Sequence, residues 1–217
     1  SGAPTISKTR VTSSNQQICR VDRESDSNAY APNLSLLQES LISKINLSDV
    51  VIVSDYGKGF VSNELFRVIR KHANFVSVDP KPSRLLQYEN PDLLTPNQME
   101  ALELAGKSRL MNEEFPQEEV VQEIFRKFSP KKLAITLGAD GILLAEDKEI
   151  KKTIPTAARE VFDVSGAGDT VIAVLSMALV ANGSFEQSAQ LANLAAGIVV
   201  GKVGTASVTT EEILSLL

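Results

Sequence analysis

The stretch FDVSGAGDTVIAV, Phe162 to Val174, sets two glycines around an alanine, follows them at once with Asp169, and then runs apolar. The apolar run predicts a helix over 169–182. The opening amides of a helix have no internal partner, and the helix dipole adds partial positive charge there. Together they bind anions, phosphate above all. Glycine lets the backbone approach a phosphate closely and adopt positive φ. A carboxylate in that place would repel a bound phosphate, unless it faces a hydroxyl that attacks the phosphate and takes that hydroxyl's proton. On this reading the amides of Gly166, Ala167 and Gly168 hold the charge of the transferring group, and Asp169 is the base. On the other reading Ser165 or Asp169 caps the helix and the glycines form a turn. The stretch is neither a Walker loop nor a full G-x-G-x-x-G after a strand.

Working outward, the chain alternates strand and helix patterns. DVVIVSD (49–55), FVSVD (75–79), DLLTPN (92–97) and KLAITLG (132–138) are short apolar runs of the kind buried on both faces of a parallel sheet. Helical spacing marks 34–45, 63–73, the segment from Gln98, 118–128, 185–200 and 210–217. GILLAED (141–147) and EIKKTIP (149–155) read as an antiparallel pair turning at Asp147–Lys148. Ahead of all this, residues 4–12 and 16–23 alternate apolar and polar and predict a β-hairpin, followed by a polar loop over 24–33. The expected architecture is α/β: a three-layer α/β/α sandwich with a mostly parallel central sheet and a small hairpin lid. No repeat or linker divides it, so residues 1–217 form one domain, with the lid over 1–23 and the core over 34–217. In such sheets ligands sit beyond the carboxyl ends of the strands. The polar clusters 54–59, 79–81, 95–100 and 136–141 fall there.

Composition narrows the function. The net charge is −5, against a nucleic-acid partner. With one histidine (His72) and one cysteine (Cys19), zinc sites, Ser-His-Asp triads and internal disulfides have almost nothing to work with. No segment approaches a membrane span, and the N-terminal residues lack the apolar core of a signal peptide. A cytoplasmic location is expected. Cys19 is expected as a small packed side chain, and His72 as a solvated helix end.

The signature DVSGAGDTVIAVLSMAL resembles that of the ribokinase-like (PfkB) carbohydrate kinases, D-[TV]-[TS]-G-A-G-D. The resemblance implies ATP and magnesium as cofactors, with Asp169 as catalytic base and Gly166, Ala167 and Gly168 as the anion hole. Asn97-Gln98-Met99-Glu100 is similar to the family's N-x-x-E motif, which organises magnesium and the ATP phosphates, often through water. ITLGADG (135–141) resembles the nucleotide-binding strand and turn, placing Thr136 and Gly138 near the ribose and α-phosphate. LANLAAGIVVGKVGTASV (191–208) resembles the closing helix and loop beside the adenine, with Asn193 as the contact. Asp163, with carbonyls of the closing loop around 199–207, is implied as a site for a monovalent cation such as potassium; it reads equally as a loop aspartate capping nearby amides.

Nearly the whole chain resembles one subfamily, the D-glycero-D-manno-heptose-7-phosphate kinases of ADP-heptose synthesis. This implies transfer of the ATP γ-phosphate to the anomeric hydroxyl of a small sugar phosphate. The alternatives are another sugar or nucleoside kinase of the family, or a non-catalytic nucleotide-binding module. Asp55 and Lys58 in SDYGKG are candidate substrate contacts, Lys58 for an anionic phosphate, against a plain strand-to-helix turn. Lys81 in DPKPS is a candidate for the ATP or sugar phosphate, against a solvated lysine. The hairpin is expected to form a homodimer interface through Ile6, Val11, Ile18 and Val21 on one apolar face. The chain departs from the family pattern at its start, where the strand and G-G-x-x-N segment of the sugar site have no counterpart. It is therefore expected to be a fragment, or to have its sugar site completed by another polypeptide, and to show negligible turnover alone.

Overall fold

The computed structural model describes residues 3–13, 16–82, 86–108, 114–158, 162–204 and 206–216. Ser14 and Asn15 of the hairpin turn, the residues 159–161 that lead into the signature, and Thr205 of the closing loop lie outside them.

Six strands form one sheet: β3 (Val51–Ser54), β4 (Val76–Asp79), β5 (Leu93–Leu94), β6 (Lys132–Thr136), β7 (Ile142–Glu146) and β8 (Glu149–Ile154). They lie side by side in chain order. Pairing is parallel from β3 to β6 and antiparallel from β6 to β8. Between the parallel strands run α2 (Asn63–His72), α3 (Gln98–Ala105) and α4 (Gln117–Phe128), with α1 (Leu34–Asn46) ahead of β3. Right-handed crossovers that keep stepping in one direction must all pass over the same face. These helices accordingly share one core with Val53, Val76, Val78, Leu94, Leu133 and Ile135. The residues of opposite strand parity, Leu93, Ala134, Ile142, Leu144 and Ile154, face the other way. There they meet α5 (Ala167–Val180) and α6 (Phe185–Val200). The expected three layers follow, and a short α7 (Thr210–Leu214) closes the described chain.

Several boundaries differ from the sequence expectation. Within the run 92–97 the continuous strand covers only Leu93–Leu94, with Asn97 adding an isolated parallel bridge to Thr136, because Pro91 and Pro96 carry no N–H. The predicted strand 132–138 ends at Thr136 and tightens into a 3-10 turn over Gly138–Asp140. The polar loop holds a 3-10 turn, Ser27–Tyr30, capped by Asp26. The turn of β7 and β8 falls at Asp147 and Lys148 as expected, both at positive φ, the geometry of a tight hairpin.

The lid is the hairpin β1 (Ser7–Ser13) and β2 (Gln16–Arg23). It corrects two expectations. Cys19 is exposed, not packed, because the hairpin stands off the core. The four apolar residues also do not share a face, since strand side chains alternate with period two. Val11 and Val21 are exposed, while Ile6, of the other parity, is half-buried toward the core. Among the described residues no helix is long and apolar enough to cross a membrane.

Candidate active site

The position of α5 is fixed by a buried polar contact. Ser77 of β4 and Ser176 of α5 are both fully buried, with their hydroxyl oxygens 2.6 Å apart. Asp169 lies two turns before Ser176, about 10 Å along the helix axis. That sets it beyond the carboxyl ends of β3 and β4, beside Asp79 at the end of β4 and Asp55 just after β3.

The start of α5 is built unlike most helices here. Ser62, Asn97, Ser184 and Thr209 each cap α2, α3, α6 and α7 with a side-chain oxygen. The cap position of α5 is Gly166, at φ 85°, with no side-chain cap. The capping alternative, Ser165 or Asp169, is therefore not what the structure holds. The helix begins at Ala167, so Asp169 lies inside its first turn. A Cβ placed on Gly168 would meet nothing within 4 Å. Open space therefore lies beside Gly168, as an incoming phosphate requires, while the Ala167 amide donates to the Val164 carbonyl at 3.3 Å.

Four carboxylates gather at this end of the sheet. Burial, then Glu100, Asp169 and Asp55, push the Asp79 carboxyl up to about 7, with only Lys81 working against them. Asp79 was not among the candidates read from sequence, and its position at a strand's carboxyl end was the available signal. Lys81 reaches Glu100 at 3.2 Å. Asn97 and Glu100 form a reciprocal capping box at the start of α3, each side chain bonding the other's backbone amide at 3.0 Å. Gln98 and Met99 are the first residues of that helix. Such surplus negative charge fits a magnesium ion. Among the described residues, though, no three His, Cys, Asp or Glu side chains converge closely enough to hold one directly. Asp79 and Glu100 would hold it through its water shell, as suits a cation that dehydrates reluctantly.

Tyr56 also went unread; its hydroxyl donates to Asp169 Oδ1 at 3.4 Å. Asp55 is committed internally. One oxygen accepts from the Gly57 amide at 2.8 Å and the other from the Tyr88 hydroxyl at 2.6 Å. Tyr88 is fully buried, and burial followed by the bond to Asp55 drives its own ionisation far above the ordinary phenol range. The expected role of Asp55 as a substrate contact thus gives way to one in shaping the loop. Lys58 pairs with Glu24 at 2.6 Å, linking the lid's exit to that loop.

The remaining candidates divide. Thr136 ends β6 paired with Ile142, and Gly138, at φ 63°, faces open space. Asn193 is buried, and its amide donates to the Pro155 carbonyl at 2.7 Å. The structure therefore makes Asn193 a tie between α6 and the end of β8, not an exposed adenine contact. Asp163 accepts from the Ser165 amide at 2.8 Å. That bond, then one from the Ser165 side chain, and last a smaller contribution from Arg10 on the lid, hold its carboxyl below the usual range.

An uncapped, glycine-started helix with a carboxylate in its first turn, over the carboxyl ends of a mixed α/β sheet beneath a hairpin lid, defines a ribokinase-like kinase fold. The chain belongs to the pfkB family of carbohydrate kinases, whose model matches residues 1–212. It is 40% identical to the bifunctional protein HldE of Sulfurimonas denitrificans over 98% of this chain and 44% of that protein. It is 39% identical to HldE of Haemophilus influenzae over 97% of this chain and again 44% of that protein. The chain thus spans less than half the length of these curated relatives. Among solved structures, ribokinase from Giardia lamblia superposes with a TM-score of 0.79 at 23% identity, over all of this chain and 72% of that one. Phosphofructokinase-2 from Escherichia coli in complex with potassium superposes at 0.69 and 18% identity, over 85% of this chain and 62% of that one.

Proposed function

We propose that this chain belongs to a kinase domain that transfers the γ-phosphate of ATP to the anomeric hydroxyl of D-glycero-D-manno-heptose 7-phosphate, and that it supplies the base and the ATP side of that site. The observation that carries the transfer chemistry is the open, uncapped start of α5 with Asp169 in its first turn. Asp169 accepts the hydroxyl proton as the sugar oxygen bonds to the γ-phosphorus. The bond from that phosphorus to the bridging oxygen breaks, and ADP leaves with the electron pair. The amides of Gly166, Ala167 and Gly168 hold the charge of the moving group without reorganising. Magnesium, when bound, neutralises phosphate charge. Asp79 and Glu100 would hold such an ion through its waters, and Lys81 pairs with Glu100 at 3.2 Å.

The choice of heptose phosphate rests on the subfamily resemblance of the chain's motifs, and a cytoplasmic location fits the single cysteine, Cys19. A monovalent cation beside Asp163 is supported by the carboxylate's place at the start of the signature, next to the closing loop, and by the potassium complex of a structural relative. A homodimer through the lid is supported by the exposure of Val11 and Val21. Measuring ADP release with a panel of sugars and sugar phosphates tests the substrate. Heptose 7-phosphate should be preferred, and a preference for ribose, fructose or a nucleoside would replace this assignment with another member of the family.

A further inference from the structure

A cavity of about 350 Å³ lies between the lid and the loop after β3. Ile6 and Lys8 come from the lid side, and Ser54, Tyr56, Lys58 and Phe60 from the loop side. Tyr56 joins it to the reaction centre, since its hydroxyl bonds Asp169. Three observations characterise its chemistry. First, it gathers two lysines. Lys58 is neutralised by Glu24, while Lys8 has no ion-pair partner among the described residues. Second, the hydroxyl of Ser54 is buried with no hydrogen-bond partner, an arrangement that costs free energy unless a ligand completes it. Third, the walls are otherwise apolar: Ile6, Phe60 and the Tyr56 ring suit the C–H faces of a sugar. The one other charge in the wall, Asp55, has both oxygens bonded inward to Gly57 and Tyr88.

The cavity's form depends on glycine. Gly59 is at φ 89°, and a Cβ there would lie 2.1 Å from the Ser27 carbonyl oxygen. The loop therefore packs backbone to backbone against the segment leaving the lid, with the Lys58–Glu24 pair beside it.

We propose, resting on the kinase reading above, that this cavity seats the far phosphate of a phosphorylated sugar whose hydroxyl faces Asp169, with Lys8 and Lys58 as its cationic partners. A phosphate monoester carries about −1.5 to −2 charge at neutral pH, which two lysines match. On binding, the phosphate displaces Glu24 from Lys58. Lys8 and Lys58 then decide between phosphorylated and unphosphorylated sugars, and Glu24 acts as a counter-ion that keeps the empty site neutral.

The test is calorimetric titration of the protein with heptose 7-phosphate and with unphosphorylated heptose, in wild type and in Lys8→Gln, Lys58→Gln and Glu24→Gln. Wild type should bind the phosphorylated sugar at least about tenfold tighter, the scale of one charge-assisted hydrogen bond. Lys8→Gln and Lys58→Gln should each lower affinity for the phosphorylated sugar about tenfold and leave the unphosphorylated one unchanged. Glu24→Gln should hold or raise affinity for the phosphorylated sugar. If Lys58 only anchors the lid, Glu24→Gln and Lys58→Gln will weaken binding alike, and the proposal fails. It also fails if the two sugars bind equally, absence of binding by both included. Titration with ATP–Mg separates the two readings. Loss of nucleotide binding with phosphate discrimination intact removes the kinase reading and leaves the cavity; nucleotide binding without discrimination does the reverse.

Discussion

Replacing Gly168 with alanine should separate stability from catalysis. Gly168 is the second residue of α5 and is not among the glycines at positive φ. A methyl group there has nothing within 4 Å to strike. Alanine is favoured over glycine in a helix interior by about 1 kcal/mol, and by less in the first turn. A gain of about 0.5 kcal/mol corresponds to about 1–2 °C in a chain of this size. The same methyl occupies the space through which the transferring phosphate reaches the opening amides. Losing one such donor costs about 10²–10³ in rate. Gly168→Ala should therefore melt at or slightly above the wild-type temperature while turnover of the full-length gene product falls about a hundredfold. Gly166→Ala is the contrast. At φ 85° it carries the left-handed penalty of about 1–2 kcal/mol, so it should lose stability as well. Thermal melts and a coupled ADP-release assay read both quantities. A Gly168→Ala protein with wild-type turnover would refute the anion-hole assignment. One that loses turnover only in step with its stability would do the same.

Other expectations concern the acidic groups. Glu100→Gln keeps a side chain able to complete the capping box, so melting should change little while the magnesium concentration for half-maximal activity rises. An unchanged magnesium dependence with collapsed stability would make Glu100 purely structural. Asp79 has its folded pKa raised to about 7, so the stability it confers is complete below its unfolded value and is lost as pH climbs toward 7. Apo-protein melts should fall across that window, and Asp79→Asn should flatten the fall; a wild-type profile already flat there would contradict the assignment. Asp92, buried at the amino ends of the strands, shows the opposite sign. Burial alone would raise its pKa, but bonds from Lys131, the Val76 amide and Arg70 outweigh it and lower it. Its contribution is present above the ordinary carboxylate pKa and is lost on acidification. Asp92→Ala should cost about 2–4 kcal/mol by urea unfolding near pH 7, with the turnover of folded protein unchanged.

The sheet was legible in the sequence because each central strand is a short apolar run and each helix shows a 3.6 period. The order of strands was not read from the sequence; the structure supplies it. What stayed illegible depends on partners distant in sequence. Ser77 and Ser176, 99 residues apart, set the height of α5 through a contact that no local pattern announces. Asp55 looked like a free carboxylate until Tyr88 was placed against it. Asn193 resembled an adenine contact, yet its amide is spent on Pro155. Asp79 reads as the polar end of a strand, and its character comes from burial and from three carboxylates, Glu100, Asp169 and Asp55, brought in from three other segments. The hairpin's apolar residues were grouped by composition, whereas strand parity divides them.

The central claim is that Asp169 removes the proton from the hydroxyl that attacks ATP. The most direct measurement compares wild type with Asp169→Asn in the full-length gene product, by γ-phosphate transfer to heptose 7-phosphate alongside ATP–Mg titration. Asparagine keeps the size of the side chain and cannot accept the proton. The account predicts turnover reduced by about 10²–10⁴, the range of a positioned general base, with nucleotide affinity essentially unchanged. Turnover retained near the wild-type value would contradict it and would take Asp169 out of the mechanism.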